Sequence, residues 1–203
     1  MPEIGTKLVA TPSGPLRLDW FEAPNARAVV AVGHGSATGV EAEDLQALAG
    51  ALPAAGFSVA LITYPYRLTG RAEGRSPSSL DEAFTAAYPH LASAGLPVVA
   101  GGRSAGAQVA CRVGRRLGAA GVLALAYPVL GPGSAHELLT TGLQYLVVQG
   151  TIDPFGTPDD FPDLGPDGRL CAVPGAAHML RSPGSTTPFQ PVVDAVLTWL
   201  SDL

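Results

Sequence analysis

The segment Gly102–Gly106 has the pattern G-x-S-x-G, which places a serine on a sharp turn between a strand and a helix. It directly follows the apolar run 97–100 and directly precedes 105–117, which has the periodicity of a helix. Such a turn lifts the hydroxyl out of the sheet, and glycines two positions before and after it leave room for neighbouring chain. The sequence therefore predicts that Ser104 is a nucleophile for acyl transfer.

A serine that attacks a carbonyl needs a base to take its proton and an acid to orient that base. Asp153 lies in a turn directly after the apolar run 145–149, and His178 lies on the loop after 169–173. Ligands of open parallel sheets bind beyond the carboxyl ends of the strands, and both residues follow a predicted strand. We therefore predict a catalytic triad of Ser104, Asp153 and His178, in the chain order Ser, Asp, His.

Other acidic and histidine residues offer alternatives for the acid and the base. Three of the aspartates are typical of a solvated acidic segment, and a fourth falls within the last predicted helix. One histidine precedes the serine and is expected to shape a loop, whereas the others are expected at a helix end or beside the loop after Pro128. These alternatives are Asp159, Asp160, Asp163, Asp194, His34, His90 and His136.

The segment Gly33–Ser36 follows the predicted strand 28–32, where a loop can supply a backbone donor to an oxyanion. We expect the N–H groups of Ser36 and Ala105 to form this oxyanion hole, each worth about 3–4 kcal/mol to the transition state. Arg103 either orients a substrate or pairs with a charge near the turn, and the pairing is the favoured interpretation.

The elements that must position these residues alternate between strands and helices after an opening hairpin. This order predicts one α/β domain over residues 1–203, with an antiparallel N-terminal hairpin, a mostly parallel sheet and helices on both faces. The segment between Pro128 and Gln144 is too short for a cap domain. The predicted strands are 7–11, 16–21, 28–32, 57–63, 97–100, 122–126, 144–149 and 169–173, and the predicted helices are 41–55, 79–94, 105–117 and 188–200.

Composition excludes several classes of protein. The 203 residues are 47% hydrophobic and 14% charged, which favours a folded domain, and the net charge of −5 argues against a nucleic-acid partner. The distant pair Cys111 and Cys171 forms no metal motif and favours a reducing compartment. Residues 1–13 lack the pattern of a signal peptide, and the longest apolar run, Ala119–Leu130, is too short to span a membrane. We expect a soluble cytoplasmic protein.

With these motifs in place, the chain resembles the α/β-hydrolases of the dienelactone-hydrolase-like kind. It is most similar to the bacterial branch of the group that contains testis-expressed protein 30 and a chromatin-complex subunit. The family often has an acidic residue where this chain has Ala177, and dienelactone hydrolases proper use a cysteine where it has Ser104. The segments that carry the resemblance are Gly33–Gly35, Tyr64–Arg67, Gly101–Gly106, Ala126–Pro128, Gln149–Gly156 and Ala177–His178.

The resemblance implies an α/β-hydrolase fold and a catalytic triad, and it implies little about the substrate. From the triad and the short segment after Pro128, we expect a serine hydrolase that forms an acyl-enzyme with a small ester or thioester, without a metal or an organic cofactor. Acyl transfer or perhydrolysis by the same triad is one alternative. An inactive hydrolase fold that acts in binding or as a scaffold is another, because fold alone does not establish activity. No nucleic-acid or membrane partner is expected. The residues that we expect to line an open substrate site are Tyr64, Pro65, Tyr127 and Pro128.

Overall fold

The chain opens with an antiparallel hairpin, as its turn residues predict. A computed structural model describes residues 4–70, 74–130 and 134–203. In it, β1 (Ile4–Thr11) pairs with β2 (Gly14–Phe21), so that Thr11 lies opposite Gly14. Gly14 has a φ of 115°, a backbone conformation that favours glycine and closes the turn. The hairpin is confirmed, with both strands longer than predicted.

The remaining strands complete an eight-stranded sheet in the order β1-β2-β4-β3-β5-β6-β7-β8. The pairs β1–β2 and β2–β4 are antiparallel and the other five are parallel, which confirms the predicted fold class. The bounds are β3 Ala28–Gly33, β4 Phe57–Thr63, β5 Val98–Arg103, β6 Gly121–Leu125, β7 Tyr145–Gly150 and β8 Gly168–Val173.

Helices cover the sheet, and two of them were not predicted. The helices are α1 Glu43–Ala51, α2 Pro65–Thr69, α3 Pro77–Leu91, α4 Ala105–Leu117, α5 Ser134–Leu139 and α6 Gln190–Asp202. The short helices α2 and α5 span only five and six residues, too few to show a helical period. The helix predicted over 79–94 begins two residues earlier, at Pro77, because Ser76 is the N-cap that accepts the Ser79 N–H at 3.2 Å.

The central strands are buried on both faces, as continuous apolar runs predict. Along β3, Val29 and Ala31 pack in the layer that contains α3 and α4, whereas Val30 and Val32 pack with α1 and α6. Trp199 of α6 is among the largest fully buried side chains of this second layer. The sheet is therefore held between two apolar layers, and polar chemistry is left to its edges.

Strand register brings the predicted site segments to the same edge of the sheet. Gly33, which ends β3, lies opposite Gly102 of β5, and Gly150, which ends β7, lies opposite Val173 of β8. The loops that follow these strands carry the residues of the predicted triad and oxyanion hole. None of the helices in the described parts of the chain is long and apolar enough to cross a membrane.

Candidate active site

Ser104 lies on a strained turn between β5 and α4. Its φ of 54° and ψ of −116° are rare for a residue with a Cβ, and its N–H donates to the Leu125 carbonyl oxygen at 2.9 Å. A Cβ on Gly102 would overlap the backbone of Gly106, and one on Gly106 would overlap the carbonyl group of Gly33. Both glycines of the motif therefore permit close backbone contacts that hold the turn against α4 and the end of β3.

His178 and Asp153 form a hydrogen-bonded pair. The Nδ1 atom of His178 lies 2.8 Å from Oδ2 of Asp153, whose side chain is completely buried, whereas the imidazole is 19% exposed. Because a carboxylate accepts, Nδ1 carries the proton, which leaves Nε2 as the free basic nitrogen of the neutral ring. This is the tautomer that a general base of a triad requires.

The Asp153 carboxylate is oriented by donors on both of its oxygens. Oδ1 accepts the Phe155 N–H at 2.8 Å, and Oδ2 accepts a hydrogen bond from Gln149 Nε2 at 3.0 Å as well as that from the histidine. The same Gln149 amide donates to the Gly156 carbonyl oxygen at 2.6 Å and so closes the turn around the acid. Such contacts fix the direction in which the carboxylate faces the imidazole.

His34 has hydrogen bonds at both ring nitrogens. Its Nδ1 donates to the Gly35 carbonyl oxygen at 2.7 Å, and its Nε2 accepts the Tyr64 N–H at 3.1 Å. Burial lowers the pKa of His34 from its ordinary value of 6.5, so the ring stays neutral. With no free basic nitrogen, this histidine shapes the loop and does not act as a base.

These contacts orient the peptide group that joins Gly35 to Ser36. The Gly35 carbonyl oxygen accepts from His34 and from the hydroxyl of Tyr66, the latter at 3.3 Å. The C=O and N–H of a trans peptide point in opposite directions, so the Ser36 N–H points away from both side chains. A Cβ on Gly35 would lie 3.3 Å from Cβ of Ser104, which places this loop directly beside the turn of the candidate nucleophile.

Arg103, which precedes the candidate nucleophile, pairs with a charge as the favoured interpretation expects. Its Nε lies 3.0 Å from Oδ2 of Asp44 on α1, and both side chains are at most 2% exposed. Burial raises the pKa of Asp44, and the positive charge of the guanidinium opposes that rise. The pair lies directly beneath the candidate site.

Three of the four residues expected to line the substrate site are buried. The rings of Tyr64 and Tyr127 have no exposed surface, and Pro65 is buried as well. Tyr64 and Tyr127 pack within the core, and the expectation that these three residues contact a substrate stays a prediction. Pro128 is half-buried and stays a candidate contact.

Sequence reasoning missed an exposed apolar group beside the candidate base. The Phe155 ring centroid lies 4.5 Å from that of His178, and the Phe155 side chain is 51% exposed. Leu130, whose N–H donates to the Phe155 carbonyl oxygen at 3.1 Å, and Met179 are also exposed. The sequence feature that could have indicated it is a phenylalanine between the proline and the glycine that follow Asp153.

Three of the alternative acids and bases, Asp160, His90 and Asp194, have side-chain partners outside the candidate site. The exposed Asp160 caps a short turn by accepting the Thr157 N–H at 2.7 Å, and His90 Nδ1 accepts from the Lys7 ammonium at 2.9 Å. Asp194 accepts a hydrogen bond within α6. Within residues 4–70, 74–130 and 134–203, no group of three His, Cys, Asp or Glu side chains is placed to hold a metal ion.

Comparisons with known proteins identify the family of the chain. Residues 26–188 match the model of a family described as an alpha/beta hydrolase domain. No curated protein matches the chain by sequence.

Solved structures share the fold at low sequence identity. A dienelactone hydrolase from Anabaena variabilis superposes with a TM-score of 0.80 at 20% identity, covering 99% of this chain and 98% of that one. A serine hydrolase without a lid from Xanthomonas campestris superposes with a TM-score of 0.74 at 19% identity, covering 87% of this chain and 86% of that one. An alpha-beta serine hydrolase homologue from Coxiella burnetii superposes with a TM-score of 0.74 at 17% identity, covering 100% of this chain and 97% of that one.

Proposed function

Because the chain belongs to the alpha/beta hydrolase family, we propose that it is a serine hydrolase that cleaves small esters or thioesters through Ser104, Asp153 and His178. The observation that carries this proposal is the 2.8 Å hydrogen bond between His178 Nδ1 and the buried Asp153 carboxylate. This bond supports a role for Nε2 of His178 as the base, and the strained backbone of Ser104, with a φ of 54°, supports its role as the nucleophile.

In the first half of the reaction, Nε2 of His178 takes the hydroxyl proton of Ser104 as Oγ attacks the substrate carbonyl. The Asp153 carboxylate stabilises the imidazolium that forms. The N–H groups of Ser36 and Ala105 hold the oxyanion of the tetrahedral intermediate. The imidazolium then gives its proton to the leaving alcohol or thiol, the scissile bond breaks, and an acyl-enzyme remains.

Water completes the cycle by the reverse sequence of proton transfers. His178 takes a proton from the water that attacks the acyl-enzyme, and it returns this proton to Oγ of Ser104 as the acid product leaves. The exposed Phe155 ring offers an apolar surface beside the imidazole, which favours neutral esters over charged ones.

A fluorophosphonate probe tests the proposal directly. The wild-type protein should form a covalent adduct that mass spectrometry locates on Ser104, and Ser104→Ala should abolish it. His178→Ala should lower the labelling rate by several orders of magnitude, since triad members act as a unit. His90→Ala removes a histidine that contacts Lys7 and serves as the matched control with wild-type labelling.

A folded wild-type protein that remains unlabelled would contradict the proposal and favour a binding role on an inactive hydrolase fold. A panel of p-nitrophenyl esters graded by acyl length then measures the substrate preference of a labelled protein. Formation of a new ester in the presence of an added alcohol would indicate acyl transfer in place of hydrolysis.

A further inference from the structure

One buried guanidinium contacts the loop after β3 and the loop after β8. Arg103 ends β5 and precedes Ser104, so its backbone is part of the strained turn. Its Nη1 donates to Oγ1 of Thr38 at 2.8 Å, and its Nη2 donates to the backbone carbonyl oxygen of His178 at 2.9 Å. The side chain therefore joins the turn, the loop after β3 (34–42, the oxyanion loop) and the loop after β8 (174–189, the His178 loop).

Two further contacts fix the guanidinium itself. Nη2 lies 2.8 Å from Sδ of Met179, and Nε lies 3.0 Å from Oδ2 of Asp44 at the start of α1. Nη1 also lies 3.4 Å from the position of a Cβ on Gly35, so the plane packs closely beneath the oxyanion loop. A side chain with four contacts and 2% exposure has almost no rotamer freedom left.

These contacts hold His178 at two points. Asp153 binds its ring at Nδ1, and Arg103 binds its backbone carbonyl. A single hydrogen bond at Nδ1 sets the tautomer but leaves the ring free to pivot when the loop shifts. The second attachment fixes where the backbone of the loop lies relative to Ser104, and hence where Nε2 lies.

A buried ion pair is weak evidence of a role in stability. Replacing a buried ion pair by apolar residues of similar volume is often neutral or stabilising. The alignment is also imperfect, because Arg103 Nε and both carboxylate oxygens of Asp44 lack an aligned hydrogen-bond partner within the described residues. The ion pair holds the Arg103 guanidinium in place as a hydrogen-bond donor to the oxyanion loop and to the His178 loop, next to the turn that carries Ser104.

We propose that Arg103, held in place by Asp44, is a positioning residue that fixes the His178 loop and the oxyanion loop relative to Ser104. The inference rests on the proposed function for its catalytic consequence. Arg103 touches no reacting atom, so its loss lowers kcat and leaves KM nearly unchanged.

The planar guanidinium is required because its donors point in different directions. Arginine presents five N–H donors in a rigid fork, whereas lysine carries three on one nitrogen at the end of a flexible stem. Arg103→Lys keeps a positive charge beside Asp44, but it cannot reach Thr38 and the His178 carbonyl at the same time. Its kcat should therefore fall between those of the wild type and a variant without the charge.

The decisive variant removes both charges together, so that neither is left buried alone. In Arg103→Met/Asp44→Leu, we expect kcat on p-nitrophenyl acetate to fall about 10- to 100-fold, with KM within about twofold, because a small misplacement of a catalytic group costs this much. The matched control is Arg112→Met/Asp81→Leu/Glu137→Gln, which removes a partly buried ion pair that joins α4 to α3 together with the second carboxylate bound to Arg112. Its kcat should stay at the wild-type value.

Hydrogen exchange gives a readout that does not need activity. Amides of residues 176–180 should exchange at least about tenfold faster in Arg103→Met/Asp44→Leu than in the wild type, while those of α6 stay unchanged, because local opening of a loop is independent of global unfolding. A wild-type protein that no fluorophosphonate labels would refute the proposed hydrolase, yet the exchange comparison would still decide whether Arg103 anchors the loop.

A folded double variant with wild-type kcat and wild-type exchange in residues 176–180 would overturn the inference. If the double variant does not fold, Arg103→Lys decides the matter, since it retains the charge opposite Asp44. Wild-type kcat and loop exchange in that variant would show that the fork of donors is not needed.

Discussion

Substituting Gly106 by alanine should damage the candidate site without unfolding the protein. A Cβ at this position would overlap the carbonyl oxygen of Gly33 and lie 2.7 Å from its carbon and 2.8 Å from the His34 oxygen. These are backbone atoms that cannot rotate away. To restore ordinary contacts, α4 and the loop after β3 must separate by roughly half an ångström to one ångström, at an overpacking cost of about 1–3 kcal/mol.

That separation moves the Ser36 N–H away from Ser104, which sits at the start of α4. A displacement near 1 Å costs up to about 100-fold in rate, or about 2.7 kcal/mol of transition-state stabilisation. We therefore expect Gly106→Ala to lower kcat on p-nitrophenyl acetate by roughly 10- to 100-fold. Because alanine favours a helix over glycine by about 1 kcal/mol, helix propensity cannot cause the loss.

Gly114→Ala is the matched control, because it makes the same change on the same helix. Its Cβ would meet only side-chain atoms, the nearest being Cγ2 of Val122 at 3.2 Å, which can adjust. Steady-state kinetics and thermal unfolding of both variants test the reasoning. A folded Gly106→Ala enzyme with wild-type kcat, or an equal loss in Gly114→Ala, would refute it.

Three further changes have defined outcomes. Asp153→Asn should lower kcat by up to about 10⁴-fold with little effect on KM, measured by ester hydrolysis, because the imidazole loses its orienting charge. Because the pKa of the buried His34 is lowered, this side chain binds a proton near pH 6.5 in the unfolded chain but stays neutral in the folded chain. The free energy of unfolding therefore falls as the pH decreases below about 6.5. In denaturant unfolding between pH 7 and 5, the unfolding free energy of His34→Gln should fall less steeply with pH than that of the wild type, by up to about 1.4 kcal/mol per pH unit. Equal slopes in the two proteins would contradict this. Gly50→Ala should raise the unfolding free energy by about 0.5–1 kcal/mol, because a Cβ at this position in α1 meets nothing within 4 Å. A melting temperature below that of the wild type would contradict the placement of Gly50 on an open face of α1.

The fold class was predictable from the sequence because its signals are local. Each parallel strand is a short apolar run, and each long helix shows its periodicity over at least nine residues. The family predicted from the motifs is confirmed by the match over residues 26–188, whereas the narrower place beside testis-expressed protein 30 stays a prediction. The helices α2 and α5 were not predicted, because a helix of one or two turns is too short to show a periodic pattern of apolar residues.

For the site, the sequence identified the candidates and their chain order. A G-x-S-x-G turn between strand and helix, and polar residues that directly follow strands, are patterns of neighbouring residues that any sheet of this type brings to one edge. The burial of Tyr64 and Tyr127 could not be predicted from neighbouring residues, because a tyrosine that follows a strand can lie either in a core or at a pocket.

The sequence by itself determined the strands, the long helices and the residue types that can carry acyl transfer. Only the tertiary structure decided which polar groups meet. Arg103 reaches Thr38 and His178 across 65 and 75 residues of chain, and the Asp153–His178 pair spans 25. The physical reason is that periodicity reports contacts between near neighbours, whereas a hydrogen bond between distant loops depends on sheet order and loop path, which no local pattern encodes.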